Sequence, residues 1–198
     1  LSQVYKTLDQ NVPDQVKNGP VWDVVGYLRA MLERVDSSLL EEWESLLHPE
    51  LRLQGEVDPH AAHRALVVEE LARDPRALTG RVRAELHTLV RALSQRDWED
   101  AEECLRQGPS GSSDHWPAER IAEALRPFLD AHGDVVFDHR ARLADKTVLV
   151  QEGPRTWRAT QVLCDRTGDD LWHLETEVDL SDPGAVDGPL IGLRRIGM

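Results

Sequence analysis

Up to Gly133 the apolar residues of this chain recur every three or four positions; beyond it they alternate, and turn residues interrupt them at intervals. That change of period predicts an α+β chain in which N-terminal helices precede a curled antiparallel sheet of about four to five strands. The chain is expected to divide into a helical N-terminal region over 1–75 and an α+β region over 76–198.

After a polar lead-in ending at Gly19-Pro20, Val21, Val24, Val25, Leu28, Leu32 and Val35 share one helical face. Ser38 and Glu41 have capping-box spacing, opening a second helix that buries Leu39, Leu40, Trp43 and Leu47 before His48-Pro49 stops it. Leu51, Leu53 and Val57 suggest a short strand. Pro59 opens a helix running to Arg73, and Leu78, Val82, Leu86, Leu89, Val90 and Leu93 form the clearest stripe of the chain. Asp97 caps a short helix with Trp98, Ala101, Cys104 and Leu105 on its inner side. Residues 107–114 read as a flexible surface loop. Pro117 opens a helix with Ile121, Leu125, Phe128 and Leu129, which Pro127 should kink or fray.

Strands are then expected over Val135–Leu143, Val148–Val150 and Trp157–Leu163, followed by a hairpin connection at Asp165–Asp170 with its glycine in the left-handed position. The next strand is the cleanest: Trp172, Leu174, Val178 and Leu180 on one face, His173, Glu175, Glu177 and Asp179 on the other. Leu190–Ile196 closes the sheet.

Composition narrows the chemistry. The net charge is −13. Acids outnumber bases 11 to 5 over 1–58, 13 to 10 over 59–133 and 12 to 8 over 134–198. A nucleic-acid binder normally brings a basic surface, because counterion release supplies much of its affinity. Any contact with RNA must therefore be a local patch. No apolar run approaches the ~20 residues that span a bilayer, so no membrane partner is expected. Two cysteines, Cys104 and Cys164, read as buried free thiols of a reducing cytoplasm. The start at Leu1 within structured sequence suggests a piece of a longer protein.

Catalytic signatures are scarce. The chain has neither a GxxxxGKS/T phosphate loop nor a GxGxxG after a strand. His60 and His63 form an i, i+3 pair on one helical face with Glu69 and Glu70 nearby, but they lack the further ligands and spacing of a zinc site. His173, Glu175 and Glu177 match a solvated strand face as well as an acid–base group. The serines of 107–114 have no nucleophile elbow. Core packing accounts for most of the six tryptophans, Trp116 being the least constrained. One basic feature stands out: Arg76, Arg83, His87 and Arg91 line the helix opposite the Leu78–Leu93 stripe, suited to successive phosphates of RNA. Arg140, Arg142 and Lys146 form a weaker version.

The segment Tyr27–Leu47, above all Val35-Asp36-Ser37-Ser38-Leu39-Leu40-Glu41-Glu42-Trp43-Glu44, resembles the C-terminal domain of unknown function that follows the motor of a group of bacterial superfamily II DEAD/DEAH-box RNA helicases. Trp157–Val162, Gly168–Trp172, Glu177–Leu180 and Leu190–Gly197 carry the same resemblance. It implies that the P-loop, the acidic Walker B box, the arginine fingers, ATP and magnesium belong to motor domains upstream in the same chain, and that this domain has no catalytic residue or cofactor of its own. Arg91–Leu105, then a helix and a curled sheet, is similar in shape to NTF2-like (SnoaL-type) domains. That likeness implies a pocket, with Phe137, Trp157 and Trp172 as its candidate lining. Three functions are thus expected in order: a non-catalytic docking or RNA-guiding module of an ATP-dependent helicase, an NTF2-like small-molecule or enzymatic pocket, or a structural self-association domain.

Overall fold

The computed structural model describes residues 2–8, 12, 13, 21, 24, 25, 28, 59–109 and 111–198. The second half of the predicted 21–35 helix, the 38–47 helix with its capping box, the 51–57 strand and the side chains of Trp22, Trp43, His60 and His63 lie outside the described residues. Two compact units are present, Leu1–Ala84 and Glu85–Met198. Their division falls inside a helix, later than the 75/76 break read from the sequence.

In the first unit, α1 (Ser2–Lys6) places Tyr5 in a buried cluster with Val25 and Leu28, against which Leu8 and Val21 pack. The stretch before Gly19 therefore contributes core as well as polar residues. Helix α2 (Pro59–Arg73) starts at its proline as expected, and α3 (Pro75–Gln95) follows after the single residue Asp74, whose carboxylate accepts from the Arg76 amide at 2.8 Å. The Leu78–Leu93 stripe is buried throughout. Burial on α3 is nevertheless wider than the stripe, and includes Arg83, Ala84 and His87.

In the second unit, Asp97 caps α4 (Trp98–Glu103) by accepting from the Asp100 amide at 3.1 Å. Helix α5 (Ala118–His132) runs on through Pro127, which is exposed, so the missing N–H falls on the side facing water. Gly133, at φ 83°, ends it in the left-handed region that favours glycine. The expected strand over 135–143 reduces to a single bridge, Val136 to Cys164. The reason is local: the Asp138 carboxylate accepts from the Arg140 amide (2.8 Å) and from Arg140 Nε (3.1 Å), turning the chain before a ladder can extend.

Four strands follow, β1 (Thr147–Gln151), β2 (Thr156–Leu163), β3 (Trp172–Asp179) and β4 (Ile191–Gly197), as an antiparallel meander in sequential order. The sheet does not close on itself. Its inner face is Trp157, Ala159, Gln161 and Leu163 of β2, Trp172, Leu174, Thr176 and Val178 of β3, and Ile191 and Leu193 of β4. The two polar residues among these are satisfied. Gln161 accepts from the Thr147 hydroxyl (2.6 Å) and donates to the Ala141 carbonyl (3.3 Å), and the Thr176 hydroxyl donates to the Ala159 carbonyl (3.1 Å). Helix α5 packs on the sheet through Phe128, set edge-on to Trp172 with ring centroids 5.8 Å apart. No helix among the described residues is long and apolar enough to cross a membrane.

Candidate functional site

The row Arg76, Arg83, His87 and Arg91 divides. Arg76 and Arg91 are exposed, whereas Arg83 and His87 are buried, 7% and 8% accessible. An amphipathic reading assumes that a helix buries one side only. The middle of α3 is covered on more sides than that, so its polar positions are not all solvated. Arg140 and Lys146 are likewise engaged at home: Arg140 pairs with Asp138 at 3.1 Å and Lys146 with Asp170 at 2.6 Å. The guanidinium of Arg142 lies 5.7 Å from the Phe137 ring centroid.

The three aromatic pocket candidates do not converge. On β2 and β3, Trp157 pairs with Val178 at one end of the ladder, while Leu163 pairs with Trp172 at the other. Six residues of strand put the two tryptophans roughly 20 Å apart, both against the core. Phe137 stands next to Val136, whose bridge to Cys164 places it at the Trp172 end. A shallow polar cleft of about 130 Å³ does open beside β4, lined by Arg106, Gln107, Asp114, Glu177 and Arg194 among others. None of the three aromatics lines it.

Trp116 is also buried, with the Arg120 guanidinium 3.9 Å from its ring centroid. The 107–114 segment is tied down around it. The Gln107 side chain accepts from the Trp116 amide (2.8 Å) and donates to the Trp116 and Glu102 carbonyls, and the Gly108 amide reaches the Asp114 carbonyl. A serine- and glycine-rich composition thus concealed an anchored loop.

Among the described residues, ionisable groups concentrate at two places. On the outer face of the sheet, Arg158 pairs with Glu152 (3.0 Å) and Glu175 (3.5 Å), Arg194 with Glu177 (2.7 Å), and Arg195 with Glu175 (3.3 Å) and the His173 ring (3.0 Å). A bulge opposite Glu175 and Thr176 lets the consecutive Arg194 and Arg195 both face outward. His173, Glu175 and Glu177 are therefore held by arginines in a lattice whose charges largely cancel.

The second place is the β2–β3 connection. The Asp165 carboxylate, 1% accessible, accepts from the Thr167 hydroxyl (2.7 Å) and the amides of Gly168 (2.6 Å), Asp169 (3.3 Å) and Asp170 (3.1 Å). Burial alone would raise its pKa; these donors outweigh burial and hold it at about 2. His132 Nδ1 lies 3.6 Å away, beyond hydrogen-bond length but within ion-pair reach when protonated. Asp170 takes the Asp165 amide on one oxygen and Lys146 on the other. Burial raises the Asp170 carboxyl, but the Lys146 ammonium and the Asp165 amide bring it below the usual range. These carboxylates are spent on holding the turn.

Beside them, Asp134 accepts from Arg96 (2.8 Å) and from Arg166 (2.9 Å). Both arginine side chains are more than half exposed, at 54% and 71%. Two guanidiniums thus share one carboxylate at the surface, with Asp169 also exposed on the Arg166 loop. The sequence separates the members of this group by 38 and 32 residues, and no spacing rule marks them; only the Arg166-containing turn was visible in advance.

No curated protein and no solved structure matches the chain. A family model does, over residues 1–194: the chain belongs to the family described as "Domain of unknown function (DUF3516)".

Proposed function

We propose that this chain is a non-catalytic accessory module that works beside an ATP-dependent RNA helicase motor, docking on it or guiding RNA past it. The helicase half of the reading rests on the sequence resemblance. Its C-terminal segments fall on β2, the β2–β3 connection, β3 and β4, so they are the residues that build the packed sheet. In this reading ATP and magnesium serve the motor and bind outside the chain.

The observation that carries the RNA-guiding half is the pair Arg96 and Arg166 on Asp134. One carboxylate fixes two exposed guanidiniums near one another, leaving N–H groups of both to meet a phosphate as forked donors. Arg91, in the same unit as that pair, is a further exposed cation on α3. With −13 overall, such a patch gives weak, salt-sensitive contact suited to guiding a strand that a motor grips elsewhere.

The purified chain should show no saturable ATP turnover, with or without single-stranded RNA, while RNA labelled with a fluorophore should gain anisotropy at low salt. ATP turnover that saturates with nucleotide would overturn the non-catalytic assignment. Absence of RNA binding at low salt would overturn the guiding role.

A further inference from the structure

The two edges of the sheet are finished differently. Along β4 the Arg106 amide donates to the Ile191 carbonyl at 2.8 Å, and the Glu85 carboxylate accepts from the Leu190 and Ile191 amides at 2.8 and 3.3 Å. Along β1 no strand follows among the described residues. Edge strands are commonly protected by a charge, a proline or a bulge. Thr147–Gln151 has none of these: its sequence is TVLVQ and its register with β2 is uninterrupted. Val148 and Val150, 53% and 44% accessible, stand exposed on the face opposite the core.

The strand is complementary to itself. An antiparallel pairing about a twofold axis at Leu149 sets Val148 against Val150 of the second copy and Thr147 against its Gln151. Just beyond, Lys146 stands against Glu152 of the second copy at both ends. A parallel pairing would oppose Lys146 to Lys146 and Glu152 to Glu152. Within one chain Lys146 is paired with Asp170 and Glu152 with Arg158, so the flanking charges select the direction of pairing more than they add affinity.

We infer that the chain self-associates through β1, two copies joining their sheets edge to edge with four valines clustered on the outer face. This inference is independent of the RNA reading. A five-residue edge makes a small interface, so the dimer belongs to the weak, reversible class. The charge of −13 on each copy opposes it, and added salt should therefore tighten it.

Sedimentation velocity over a wide concentration range, at low and high salt, tests this. The chain should pass from monomer to dimer as concentration rises, at lower concentration in high salt. Val148→Lys with Val150→Lys should raise the dissociation constant about tenfold or more. A milder variant guards against misfolding. Leu149→Cys should form a covalent dimer under gentle oxidation, since the twofold brings the two positions within disulfide range and Cys104 and Cys164 are buried. Leu171→Cys, at a site 63% accessible, should not. Monomer at all concentrations would overturn the inference, as would equal cross-linking at 149 and 171 or a dimer indifferent to the lysines.

Discussion

Asp165 concentrates the residue-scale physics of this chain. Its folded pKa of about 2 lies below the ordinary 3.8. A carboxyl lowered on folding adds stability above its unfolded pKa and loses it as pH falls through the folded value. Here that amounts to about 2 kcal/mol, present at neutral pH and lost between roughly pH 4 and pH 2. Asp165→Asn should lower the unfolding free energy by about that much at pH 7, measured by urea denaturation, and flatten the acid limb of its pH dependence. An unchanged acid limb would assign the buried carboxylate no part in the turn. Gly168 sits at φ 81° with nothing within 4 Å of where a Cβ would stand. Gly168→Ala should therefore cost only the backbone strain, about 1 kcal/mol, seen as a lower urea midpoint with the slope unchanged. The turn around Gly168 was legible because glycine and aspartates advertise it. That Asp165 is the buried one was not, because its cover comes from elsewhere in the fold, including His132 at the end of α5.

At the scale of elements, the sequence was readable wherever one face meets core and the other meets water. The alternation of β3, the proline starts of α2 and α5 and the Asp97 cap all depend on such local contrasts. It misled where the contrast fails. The middle of α3 is covered on more than one side, so Arg83 and His87 are buried among a pattern that looked solvated. The apparent 135–143 strand is cut by Asp138, whose bonds to Arg140 compete with the ladder. A long-range device had no signal at all: Glu85 of α3 clamps the Leu190 and Ile191 amides more than a hundred residues away. Glu85→Ala should cost about 1–3 kcal/mol by leaving those donors without it, whereas Glu85→Gln, which keeps a carbonyl acceptor, should cost clearly less. Hydrogen exchange at Leu190 and Ile191 reads the difference, and equal protection in both variants would contradict the clamp.

For the whole molecule, charge sets the terms. In an acidic chain whose outer sheet face is neutralised by its own arginines, the exposed arginine pair held by Asp134 is one place among the described residues at which to meet a polyanion. The candidates legible in sequence, Arg76 and Arg91, remain exposed, while Arg83 is unsuited to testing RNA contact because its removal would disturb a buried position. The measurement that tests the central claim most directly is the salt dependence of RNA binding for the chain and for its Arg96→Ala, Arg166→Ala variant. If these residues guide RNA, log affinity should fall linearly with log salt, and the double variant should flatten the slope by about one to two units. A chain whose slope is the same with and without the two arginines would contradict it.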